Sequence, residues 1–190
     1  MNTRSRPRGV VTAATLQLLT AVPFLIGTFD VLVLGAEAQA AAEAEVVRQG
    51  FPAEILSQHS IDFGGKVSEL PLAVGMAVIL AALAALNLAG NRTGRILSWI
   101  FHPILFVLGC VIVSAQVFTA QFLESSFKSD PVLARIDVPA LMDATMQVIP
   151  GWLLPVNVGK LILTTLGSLL VVVLLALPLA RAYFRKSVAS

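Results

Sequence analysis

Cysteine is nearly missing. Cys110 is the single thiol in 190 residues, so no intrachain disulfide can form and a cystine-stapled ectodomain is excluded. Charge is also scarce. Asp, Glu, Lys and Arg make up 13% of the chain, roughly half the share usual in a soluble domain. Histidine occurs only at His59 and His102. Asp62 follows His59 closely, but two ligands in a loop fall short of a metal set. There is no phosphate-cradling glycine loop, paired-cysteine motif, HExxH or Gly-x-Ser-x-Gly elbow. Gly64-Gly65-Lys66 has the look of a P-loop ending. It lacks the upstream glycine and carries Val67 where Ser or Thr is needed. No catalytic, cofactor-binding or metal-binding residue is assigned, and the chain reads as a non-enzyme. The basic residues flank apolar runs without interleaved aromatics, which argues against nucleic acid as a partner.

What the chain has in excess is apolar surface. Hydrophobic residues make up 57% and the mean hydropathy is +0.87. Water would leave that surface uncovered; a lipid bilayer would not. A spanning helix needs ~20 mostly apolar residues, and the runs 10–34, 72–90, 96–118 and 156–180 qualify. The expectation is an all-α four-helix transmembrane bundle, one membrane domain with outer loops 35–71 and 119–155. The apolar run that follows the first arginines exceeds the ~7–15 residues of a signal-peptide core, so a retained helix is expected despite Ala38-Gln39-Ala40.

Charge distribution sets the expected direction. Arg4, Arg6 and Arg8 precede the first run, Arg92 and Arg95 lie between the second and third, and Arg181, Arg185 and Lys186 follow the fourth. Those segments hold no acid, whereas the two long loops hold ten of the eleven Asp and Glu residues. Positive residues stay cytoplasmic. Both termini and the short break at 91–95 are therefore expected in the cytoplasm, with the long loops forming a small helical extracytoplasmic cap. Trp99 and Tyr183 then fall at the inner interface and Trp152 at the outer one.

Several residues within the runs stand out. Ala73, Ala77, Ala81, Ala85 and Ala89 recur every fourth position, a smooth stripe suited to close helix packing, within the bundle or between two copies. Gly109, Cys110 and Ser114 form a weaker small-residue set that could face it. Gln17 and Asn87 need partners on neighbouring helices, because lipid offers none. His102 reads as an interfacial or packing histidine, with a proton site as the minor reading. Asp30 and Lys160 fall at matching depths near the outer edge, each alone an interfacial charge and together a candidate interhelical pair. Pro23 and Pro103 are expected to loosen their helices locally.

The loops carry signals too. Ala36–Arg48 consists mostly of strong helix formers, so the first helix should continue past the bilayer until Gly50-Phe51-Pro52 stops it. Pro52–Gln58 fits a short helical turn, and Ile61–Val67 fits a strand or a turn equally well. Ser129-Asp130-Pro131 and Asp137-Val138-Pro139 are helix-start signals, the second opening a helix over 140–148 with Leu141, Ala144 and Val148 on one face.

Leu86–Trp99, the ending 177–185 and Pro150-Gly151-Trp152 resemble the second-to-third-span turn, the last helix end and the outer start of the last span in uncharacterised small four-helix integral membrane proteins of actinobacteria. The likeness covers about a third of the chain. It implies topology and a bacterial origin, and no activity. The function expected on these grounds is that of an accessory or scaffold subunit of the cell membrane and envelope. It would contact another membrane or envelope protein, or itself. The alternatives are a small-molecule or ion conductor formed by oligomerisation, and a lipid or hydrophobic-ligand binder.

Overall fold

The computed structural model describes residues 6–186; Arg4 of the basic start lies outside the described residues. Among these the chain is all-helical, without a strand. Helix α1 runs Arg8–Arg48 without interruption, passing through Pro23. At 1.5 Å per residue it is ~60 Å long, about twice the hydrocarbon thickness of a bilayer. A Schellman motif ends it: Phe51 N–H donates to the Val46 carbonyl and Gly50 N–H to that of Val47, with Gly50 at φ +89°. Helix α2 (Ile55–Gln58) follows, and the chain then turns back at Asp62–Gly65. That segment is a turn, held by Gly64 N–H to Asp62 Oδ1 and Phe63 N–H to Gln39 Oε1, both 2.9 Å. Gly64 and Gly35 of α1 meet backbone to backbone, with no room for a Cβ on either.

The second span is α3 (Leu70–Leu88), the third α4 (Arg92–Leu108) continuing through a π-turn at Gly109–Val113 into α5 (Ser114–Val117). The turn between them is shorter than residues 91–95. Gly90 at φ +74° forms the Schellman end of α3, and Asn91 at once caps α4 by accepting from Thr93 N–H at 2.8 Å. Arg92 and Arg95 therefore sit on helix, not in loop. Helices α6 (Thr119–Phe127) and α7 (Val138–Val148) follow. Asp137 caps α7, accepting from Ala140 N–H at 3.1 Å, as its sequence signal requires. The buried face of α7 is Val138, Leu141 and Thr145; Ala144 and Val148 are half-buried beside it.

The fourth span begins at Leu153, earlier than position 156. It comprises α8 (Leu153–Ile162), a second π-turn at Leu163–Gly167, and α9 (Ser168–Ala176). It ends before 180: Pro178 has no N–H to continue the ladder, and Pro178–Lys186 forms a separate helix, α10.

The spans alternate in direction around a ring, α1 against α3 and α9, α4 against α3 and α9. At one end α10 folds under the bundle, where Ala180 and Phe184 join Val10, Ala13, Val171 and Leu175. At the other, the overhanging part of α1 carries a helical head. Its core joins Ala42 and Val46 of α1 to Ile55, Leu56, Phe127, Leu133, Ile136, Val138 and Leu141. His59 Nε2 lies 3.3 Å from Asp130 Oδ2 and ties the two loops of this head together.

Candidate functional site

Each span presents a seven-residue pattern of small and apolar side chains to the interior, and polar groups interrupt it at one level. On α1 the buried stripe is Val10, Ala13 and Ala14, Gln17, Thr20 and Ala21, then Phe24. On α3 it is Met76 and Ala77, Leu80, Leu83 and Ala84, then Asn87. On α4 it is Gly94, Ser98, His102 and Leu105. Gln17, Asn87, Ser98 and His102 meet there, each at most 1% exposed.

Their hydrogen bonds form a closed circuit. Asn87 Nδ2 donates to Gln17 Oε1 at 3.1 Å and to Ser98 Oγ at 2.9 Å. Gln17 Nε2 donates to Ser98 Oγ at 3.1 Å and to His102 Nε2 at 3.0 Å. Ser98 Oγ donates onward to the Gly94 carbonyl at 2.8 Å. Because His102 Nε2 accepts, its Nδ1 carries the proton and faces Ser168 Oγ of α9 at 3.3 Å. The neutral imidazole satisfies every contact in this set; a second ring proton would oppose the Gln17 amide. All four spans thus contribute to one knot. Only Asn87 Oδ1 lacks a partner within it. Such bonds hold transmembrane helices together at about 0.6–2 kcal/mol each.

A second polar group lies nearer the head. Lys160 is 8% exposed; its Nζ donates to Gln116 Oε1 at 3.1 Å and sits 4.7 Å from the Phe24 ring centroid. The cation is therefore satisfied by an amide and an aromatic face, and joins the first, third and fourth spans. The structure does not bring Asp30 and Lys160 into a salt bridge. Asp30 is half-buried, and its Oδ1 has no hydrogen-bond partner among the described residues.

The alanine stripe divides. Ala77 is buried and Ala73 half-buried, while Ala81, Ala85 and Ala89 are exposed. A four-residue step advances about 40° around a helix, so five members span about 160° and cannot all face one neighbour. The inward face instead follows the seven-residue pattern through Leu80, Leu83 and Ala84. Gly109 does not face this helix: a Cβ there would stand 2.6 Å from Thr164 Oγ1 of the fourth span, where the two π-turns pack together. Cys110 is exposed.

Ser98, Ser168 and Gln116 were not singled out from the sequence. The signal for Ser98 is its place four residues from both Gly94 and His102, which puts all three on one face of an apolar helix. Ser168 and Gln116 carry no comparable mark. Their roles depend on which spans are neighbours.

No group of His, Cys, Asp and Glu among the described residues could hold a metal ion. The described residues contain four helices long and apolar enough to cross a membrane, the make-up of a multi-pass membrane protein. No family model matches the chain, and neither a curated protein nor a solved structure matches it.

Proposed function

We propose that this protein is a non-enzymatic accessory or scaffold subunit of the cell membrane, with both ends cytoplasmic and the head outside. It would act through its head and its outward helix faces, on another membrane or envelope protein or on a second copy. The observation that carries this reading is the polar knot. Interior polar groups of all four spans bond to one another rather than lining a path, which favours a tied body over a moving one. Crosslinking in native membranes tests it. The expected outcome is one defined adduct, with a partner or with itself. A chain recovered alone and monomeric would overturn it.

One observation favours a second reading, a hydrophobic-ligand binder. A depression of about 330 Å³ opens where the third span meets the head, lined by Val111, Ser114, Ala115, Phe118, Gln121 and Phe122 among others. Native mass spectrometry after mild extraction separates the two. A stoichiometric lipid lost on Ala115→Trp would support this second reading.

A further inference from the structure

The end of the molecule opposite the head concentrates positive charge, with no Asp or Glu beside it among the described residues. Arg8 starts α1, Arg92 and Arg95 occupy the first turn of α4, and Arg181 and Arg185 lie one turn apart on α10. No Asp or Glu occurs between Leu70 and Leu123 or beyond Asp143. The ion pairs among the described residues, Glu45 with Arg48 and His59 with Asp130, both belong to the head.

Arg95 is fixed in place. Its Nε donates to the Leu175 carbonyl at 3.0 Å, at the last turn of α9. Its guanidinium carbon lies 4.7 Å from the Trp99 ring centroid and 5.8 Å from that of Phe184. This leaves its terminal nitrogens without another side-chain hydrogen bond among the described residues. The charges that reach Arg95 are those of Arg92 and Arg181, both repulsive. The positive end of the α4 dipole points to the same place. Packing holds α10 against the α3–α4 turn despite this repulsion: Tyr183 Oη donates to the Leu88 carbonyl at 2.8 Å and its ring rests on Gly90.

Helix α10 is also amphipathic. Ala180 and Phe184 face inward, while Arg181, Arg185 and Leu179, which is 76% exposed, face out. Arginines beside an exposed leucine, at the end of four apolar spans, suit a ligand with both a phosphate and an acyl chain. We propose that the start of α4 and helix α10 together bind the headgroup phosphate of an acidic phospholipid. Arg92, Arg95 and Arg181 take the phosphate, and Leu179 lies along the chain. This goes beyond the scaffold reading and needs no protein partner.

Native mass spectrometry of the full chain in mild detergent, titrated with phosphatidylglycerol or phosphatidylcholine, tests it. Phosphatidylglycerol should bind at least tenfold more tightly. R92Q/R181Q should weaken it about thirtyfold, from the usual contribution of two arginines near an anionic lipid. R92K/R181K should stay within a few-fold of wild type, and K128Q/R135Q in the head should change nothing. Equal binding of the two lipids, or unchanged binding by R92Q/R181Q, would overturn the proposal. So would a Lys variant as weak as the Gln variant, since positive charge at these positions would then not account for the binding. Displacement by millimolar inorganic phosphate would mean a free-anion site, and would overturn the lipid assignment.

Discussion

Gln17 sits where helices of every span converge, and its single amide serves three partners. Gln17→Leu removes all three bonds and leaves Asn87, Ser98 and His102 short of partners in a dry interior. The expected cost is about 2 kcal/mol or more, three bonds at the lower figure for each, read as a lowered melting temperature in detergent. No change would mean that apolar packing alone holds the bundle. Asp130 carries a different prediction. Backbone N–H groups of Val132 and Leu133 donate to its carboxylate, and His59 lies beside it, so its folded pKa is lowered. A lowered carboxylate stabilises the fold above its ordinary value of ~3.9 and loses that contribution as pH falls through the depressed folded value. Amide exchange at Val132 and Leu133, corrected for intrinsic rates, should show protection lost in that acid range. Asp130→Asn keeps the capping oxygen and should lack the step; a step that persists in this variant would assign it to another group. Of the knot, Gln17 and Asn87 were legible because an amide in an apolar run needs a partner; His102 reads from the sequence as an interfacial or packing histidine, and its burial and its bond to Gln17 were not legible. Nor were Ser98 and Ser168, since a serine can return its hydroxyl to its own helix and so signals nothing by itself.

At the level of elements, the second span separates two kinds of alanine. Leucine at Ala77 or Ala84 would overfill an interior position, at a cost of about 1–3 kcal/mol. Leucine at Ala81 or Ala85 should leave melting unchanged, because those positions face outward. If A81L/A85L instead breaks a homo-oligomer while the fold survives, the outward stripe is a contact between copies. Helix ends were legible where capping chemistry marks them, as at Asp137 and Gly50. They were misjudged where hydropathy alone was followed. The start of α4 at Arg92 and the break at Pro178 depend on backbone hydrogen bonding, to which an average of side-chain polarity is blind. The two π-turns have no sequence mark at all. They appear where Gly109 lets the third span approach Thr164 closely.

For the whole molecule, orientation is the open quantity with the clearest test. A reporter enzyme active only outside the cytoplasm should be silent when fused near Thr93 and active when fused near Ser129. The reverse pattern would invert the proposed map and move the arginine-rich end outward. The amino-acid sequence alone determined that four helices of spanning length exist, that acid and base are segregated between the connecting segments, and that α1 continues through the helix formers of 36–48. These are properties of local composition and period. Tertiary structure alone decided the partners. Lys160 goes to Gln116 and Phe24 instead of Asp30, Gly35 meets Gly64, and α10 folds under the bundle to gather the arginines. Depth along a helix can be counted from sequence, but the rotation of each helix and the order of its neighbours are set by packing among residues far apart in the chain.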